Sequence, residues 1–109
     1  MSNYKSTLSE KIAKIVFQVS RMHINDPNIP QCWDAITQLL IRDESETIDF
    51  LNSCDDEYTL GVVSASFADA SFHLQSNHFI RCLEKLEQKF PGQHLKYMVA
   101  DAKNAMDNE

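Results

Sequence analysis

Apolar residues recur every three or four positions along most of this chain, which is the spacing of one face of an α-helix. Only two glycines and three prolines occur in 109 residues, so turn-forming residues are too few for a many-stranded β fold. A chain of this length builds one hydrophobic core. The sequence therefore predicts an all-α fold in a single domain, residues 1–109, of five to six short antiparallel helices arranged as a bundle or as α-solenoid-like hairpins.

Six helical segments follow from this spacing and from the residues that start and stop helices. The first begins with Thr7-Leu8-Ser9-Glu10, a capping-box pattern, and the prolines at 27 and 30 keep it from continuing. Pro91-Gly92 separates the last two segments. The segments run from Thr7 to Met22, Gln31 to Arg42, Asp43 or Ser45 through Leu51, Asp55 to Leu74, Ser76 to Phe90, and Gln93 to Met106.

Charge is distributed unevenly along the chain. Ten carboxylates and one cation, Arg42, lie between Asp26 and Gln75, a net charge of −9, whereas residues 1–25 sum to +3 and residues 76–109 are neutral. Such a field attracts cationic proteins and repels nucleic acid. We therefore expect a cationic protein partner and no nucleic-acid partner.

The acidic segment lacks the patterns of metal and catalytic sites. No two of the four histidines have the i, i+4 spacing that brings two imidazoles to one zinc ion, and Asp55-Asp56-Glu57 lacks the alternating ligands and central glycine of a calcium loop. The chain also has no phosphate-binding loop and no serine–histidine–aspartate signature. The sequence predicts a protein without metal, cofactor or enzymatic activity, although paired carboxylates across a cleft stay open as an alternative.

The three cysteines, Cys32, Cys54 and Cys82, are odd in number and widely spaced, which favours reduced buried thiols over a disulfide framework. The N-terminus has no apolar segment behind its positive charges, and no window approaches the length of a membrane span. These features predict a cytoplasmic protein that makes no membrane contact. They leave its oligomeric state open.

Small residues continue after Gly61 in the predicted fourth helix: Ser64, Ala65, Ser66, Ala68, Ala70 and Ser71. Such a run lets another helix approach closely. That helix is either a neighbour in the same domain or part of a partner protein. Gly61 itself costs roughly 1 kcal/mol relative to alanine inside a helix.

Several aromatic residues and carboxylates can be assigned from their positions. Phe67, Phe79 and Phe90 lie on helical stripes and are expected in the core. Trp33 and Tyr58 border the acidic segment, so we expect one of them to be exposed as an interface anchor. The carboxylates expected to contact a partner are Asp55, Asp56, Glu57 and Asp69. Asp43 and Asp55 are also predicted caps, Asp26 is assigned to a turn, and Asp34, Glu44, Glu46 and Asp49 fit ordinary solvated helix faces.

One set of residues in the second half of the chain matches the pattern of a known family: Phe50-Leu51-Asn52-Ser53-Cys54-Asp55-Asp56-Glu57, Ser64, Phe67, Leu74-Gln75-Ser76, Phe79, Cys82-Leu83 and Phe90-Pro91. Through these residues, the stretch 49–105 resembles small helical immunity proteins of bacterial contact-dependent growth inhibition and related polymorphic toxin systems. The family pattern has Ser-Glu-Val-Phe where this chain has Ser64-Ala65-Ser66-Phe67, so a glutamate is missing and only Asp69 keeps acidic character there.

The resemblance implies a cytoplasmic antidote that binds the C-terminal domain of its cognate toxin, commonly a nuclease, and blocks its active site without catalysing a reaction. An acidic helical surface suits that task because a nuclease needs a cationic cleft for phosphates. A different class of function also fits the charge pattern. It is a helical adaptor or regulator that binds another basic protein or a second copy of itself.

Overall fold

The structure, a computed structural model, describes residues 7–23 and 25–106 and contains seven α-helices and no strand within them. The predicted all-α class is therefore confirmed, whereas the predicted number of five to six helices is wrong. The helices are α1 (Thr7–Ser20), α2 (Ile29–Arg42), α3 (Glu44–Ser53), α4 (Glu57–Ser64), α5 (Phe67–Leu74), α6 (Asn77–Lys89) and α7 (Gln93–Met106). The predicted capping role of the Thr7 side chain lies outside the described part.

The extra helix arises because the predicted fourth helix is broken at Ala65-Ser66 into α4 and α5. There the backbone N–H of Ser66 donates to the Val63 carbonyl at 2.9 Å, a tighter turn than the α-helical one. The Ser66 hydroxyl donates to the carbonyl of Trp33 on α2 at 3.0 Å. Val63 and Phe67, on either side of the break, are both buried in the core. The spacing of apolar residues therefore gives no sign of the break.

Local cap signals place several helix ends correctly. Asp43 accepts from the N–H of Glu46 at 3.0 Å and starts α3, and Ser76 accepts from the N–H of Phe79 at 3.1 Å and starts α6. Helix α2 begins two residues earlier than predicted, with Pro30 in its first turn. Proline fits there because the first N–H groups of a helix have no carbonyl acceptor within the helix, so the N–H that proline lacks costs no hydrogen bond.

Six of the seven helices form two layers, and α4 contacts α1 in one layer and α7 in the other. Helices α1, α3 and α6 contact one another in that order, as do α2, α5 and α7, while α1 with α2 and α6 with α7 join the layers. Between the layers, the fully buried rings of Phe67 on α5 and Phe79 on α6 meet edge to face, 6.3 Å apart. Both phenylalanines lie in the core as predicted, while Phe90 is only partly buried.

Helices α5 and α7 run parallel, but they are not consecutive in the chain, so this pair falls outside the expectation that consecutive helices form antiparallel hairpins. The Ser71 hydroxyl donates to the Ala102 carbonyl at 2.7 Å, and the Gln75 side-chain amide donates to the Ala105 carbonyl at 3.2 Å. Moving toward the C-terminus from Ser71 to Gln75 also moves toward the C-terminus of α7, from Ala102 to Ala105, so the two helices point in the same direction. The run of small residues on α5 therefore faces α7 of the same chain, which decides between the two alternatives left by the sequence.

Helices α3 and α6 also run parallel. Ser76 donates to the Glu44 carboxylate at 2.5 Å near their starts, and the Cys82 sulfur contacts Oδ1 of Asn52 at 3.4 Å near the end of α3. Two intervening helices separate this pair in sequence. Antiparallel packing occurs at the α1–α2 hairpin, where Met22 faces Asn28 and Lys11 faces Arg42.

We expect Gly61→Ala to stabilise the protein by about 0.5–1 kcal/mol, because glycine inside a helix loses more backbone freedom on folding than alanine. A Cβ at Gly61 meets no heavy atom within 4 Å, so no clash offsets the gain. Urea unfolding at neutral pH measures the change. Gly92→Ala is the matched control: it has equal space, but Gly92 precedes α7, where alanine is a poor cap, and no gain is expected there.

Candidate protein-binding site

The junction between α3 and α4 presents three carboxylates and a tyrosine to solvent in four consecutive residues. Asp55, Asp56 and Glu57 are exposed, the Asp55 side chain being 86% accessible, and Tyr58 is 52% exposed at the start of α4. Asp55 and Asp56 also line an open groove of about 210 Å³ against Ala13 of α1. We name residues 55–58 the acidic corner.

Asp56, rather than the predicted Asp55, caps α4. Its carboxylate accepts from the Thr59 hydroxyl at 2.6 Å and from the Thr59 N–H at 3.3 Å. The Thr59 hydrogen bonds favour the charged form and lower the pKa of Asp56. This carboxylate therefore has a structural role as well as a place on the surface.

Because the pKa of Asp56 is lowered on folding, its contribution to stability is present above its ordinary value of 3.8 and is lost as the pH falls through the lower folded value. We expect the wild-type urea midpoint to fall below pH 4 more steeply than that of Asp56→Ser, which keeps a cap oxygen that does not titrate there. Parallel slopes for the two proteins between pH 7 and pH 2.5 would show that the cap is not linked to this titration.

Asp55 is partly neutralised by a cation from the neutral end of the chain. The Lys89 ammonium lies 2.9 Å from its carboxylate and donates to the Cys54 carbonyl at 3.3 Å. An exposed pair of this kind contributes little to stability, but it reduces the local field. Glu57 has neither an ion pair nor a hydrogen bond to another side chain in the described part, so its charge is the least compensated of the three.

Trp33 and Asp69 lie at the other end of α4. The Trp33 carbonyl accepts from Ser66, which precedes α5, and Asp69 is exposed in the first turn of α5. Helix α4 has eight residues and is about 12 Å long, so the predicted contacts fall into two groups at its ends. Trp33 is half-buried against the core, so Tyr58 is the more exposed of the two aromatic residues.

Three exposed aromatic residues escaped the sequence reasoning: Phe17, Phe72 and Tyr97 are 62%, 57% and 60% exposed. Each lies off the apolar stripe of its own helix, which is the one signal that could have found them. Phe17 lies under the guanidinium of Arg21, whose carbon is 5.6 Å from the ring centre. A contact between two such residues one turn apart needs no tertiary structure.

A second acidic groove, of about 570 Å³, lies at the start of α3 beside α6 and is lined by Glu44, Asp49 and His78. His78 Nδ1 is 3.9 Å from the Glu44 carboxylate. Among residues 7–23 and 25–106, no three histidine, cysteine or acidic side chains are grouped so that they could hold a metal ion.

The cysteines are free and buried, as predicted. Burial raises the pKa of the Cys82 thiol to about 11, and it also raises the pKa of Cys54. Both therefore stay protonated at neutral pH, a form that is a poor nucleophile.

No helix in the described ranges combines the length and apolar character needed to cross a lipid bilayer. The chain matches no protein-family model, and neither a curated protein nor a solved structure is significantly similar to it.

Proposed function

We propose that the protein is a cytoplasmic immunity protein that neutralises the C-terminal domain of a cognate toxin, a cationic nuclease, by binding it stoichiometrically. The observation that carries the proposal is the acidic corner. Three exposed carboxylates adjoin an exposed tyrosine, a combination that suits a partner with a positive surface and one apolar recess. The family resemblance supplies the kind of partner.

The contacts of Glu57, Tyr58 and Asp56 suggest a different role in binding for each residue. Glu57, which has no compensating cation among the described residues, provides long-range attraction. Tyr58 supplies a buried contact once the complex forms, because a tyrosine ring buries a large area while its hydroxyl finds a polar partner. Asp56 holds α4 in place so that both side chains point outward from the same first turn.

The direct test uses the toxin domain encoded immediately upstream of this gene. The two purified proteins are expected to elute together as a 1:1 complex, and the complex is expected to lose the toxin's nuclease activity. Separate elution at micromolar concentrations together with undiminished nuclease activity would reject the proposal. A gene neighbourhood without a large secreted toxin, combined with capture of a different basic protein, would favour the alternative of a helical adaptor.

Tyr58→Ala is expected to raise the dissociation rate of that complex by about tenfold or more, because truncation of a central tyrosine removes buried contact area. Surface plasmon resonance measures the rate. Tyr97→Ala is the matched control: Tyr97 is similarly exposed but lies on α7. Equal rates for the two variants and the wild type would exclude Tyr58 as an anchor.

A further inference from the structure

A groove on the α1–α2 hairpin has the opposite charge from the rest of the protein. It consists of two adjoining stretches, each of about 580 Å³, that share Ile15 and Ala35. Their lining includes four cations, Lys11, Lys14 and Arg21 on α1 and Arg42 on α2. We name it the basic groove.

The cations in the basic groove are concentrated, and one carboxylate, Glu46, lines an adjoining cavity of about 20 Å³ with Lys11 and Arg42. They are four of the nine lysine and arginine residues in the described part of the chain, and none of the carboxylates there lines the two stretches. All four are exposed, and none forms an ion pair with another described residue. The protein has a net charge of −6, so the basic groove is a local region of positive charge on an acidic protein.

The floor of the basic groove is apolar. Ile15, Leu39 and Ile41 are half-buried there, and Ala35 is exposed where the two stretches meet. Helices α1 and α2 have 14 residues each, so a groove along them is about 20 Å long, enough for three to four turns of a docked helix. An apolar floor with charged edges is the form that receives one face of an amphipathic helix.

The basic groove and the acidic corner lie on opposite sides of α1. Ser9 and Ala13 face the acidic corner, whereas Lys11, Lys14 and Ile15 line the basic groove. At 100° per residue these two sets point in nearly opposite directions around the helix. One partner of ordinary size can therefore occupy the acidic corner while the basic groove stays accessible.

We propose that the basic groove binds an acidic amphipathic helix of a second protein partner, with apolar side chains on the floor and carboxylates against the four cations. Charge complementarity selects an acidic occupant, and the half-buried aliphatic floor selects a helix with an apolar face over a nucleic-acid backbone. This site is independent of the toxin-binding surface, so either proposal can fail without the other.

The test uses a fluorescein-labelled helical peptide of about 16 residues, with leucines on one face and glutamates beside them. It is expected to bind wild-type protein more weakly as salt rises, and to shift the amide resonances of Ile15, Ala35 and Leu39. Lys14→Glu/Arg42→Glu is expected to weaken binding about tenfold or more. Lys85→Glu/Lys96→Glu makes the same charge change on α6 and α7 and is expected to leave the affinity within about twofold.

Ala35→Trp fills the middle of the floor without changing charge and is also expected to abolish peptide binding. Circular dichroism verifies that each variant folds. The peptide-induced shifts of the wild-type amide resonances test the site even if a variant fails to fold. The proposal is overturned by no binding at millimolar peptide, by equal losses in both double variants, or by equal affinity for a peptide with serines in place of the leucines. Tighter binding of a single-stranded oligonucleotide, or a self-association that Ala35→Trp abolishes, assigns the groove to that occupant instead.

Discussion

Phe79→Ala is expected to destabilise the protein by about 3–5 kcal/mol, because it removes a fully buried ring and leaves a cavity between the two helix layers. The loss is a large share of the stability of a small domain, which is about 5–15 kcal/mol. Urea unfolding followed by circular dichroism measures it. Phe72→Ala removes the same group from a 57% exposed position and is expected to change stability by less than about 0.5 kcal/mol.

Phe67, whose ring packs edge to face against Phe79, allows the coupling between the two rings to be measured. Phe67→Ala is expected to cost about as much, and the double variant is expected to cost less than the two together by about 0.5–1.5 kcal/mol, the coupling of an edge-to-face pair. Strictly additive losses would mean that each ring contributes through burial alone. A loss below 1 kcal/mol for Phe79→Ala would contradict the packing of α6 against α5.

Glu57→Lys is expected to slow association with the upstream-encoded toxin domain by roughly 10- to 100-fold at low ionic strength, because it replaces the least compensated charge of the acidic corner with a repulsive one. At 0.5 M salt, where the Debye length is about 4 Å, the difference should nearly vanish. Stopped-flow fluorescence measures the rates. Glu57 is preferred to Asp56 for reversal because Asp56 also caps α4.

Asp101→Lys is the control for that experiment. It makes the same charge change at an exposed position on α7, so it reports the effect of net charge alone. Equal slowing by the two variants would assign the attraction to the whole protein and remove the special role of the acidic corner. Asp69→Lys then tests the second group at the other end of α4, about 12 Å away.

The features that the sequence predicted correctly depend on short-range chemistry. The caps at Asp43 and Ser76 use a side chain and an N–H three residues apart, and the apolar stripes place Phe67 and Phe79 inside. The break between α4 and α5 could not be predicted in this way. Its Ser66 hydroxyl bonds to a carbonyl 33 positions earlier, and the apolar spacing passes through the break unchanged.

The candidate site was predictable in composition but not in arrangement. Its carboxylates and Tyr58 were identified from charge and position, whereas the pairing of Asp55 with Lys89 joins residues 34 apart. The greater exposure of Tyr58 than of Trp33 depends on how α2 packs against the core. The basic groove could not be predicted from the cations of the first helix alone, because Arg42 meets Lys11 and Lys14 only once the hairpin has formed.

The parallel packing of α5 against α7 has a consequence for the order of events during translation. The small-residue face of α5 has no cover until α7 has left the ribosome, because α7 supplies the carbonyls that Ser71 and Gln75 bind. The α1–α2 hairpin, by contrast, joins consecutive helices and can close while the rest is being made. A nascent chain can therefore close the α1–α2 hairpin, and with it the basic groove, before α7 is made and packs against α5.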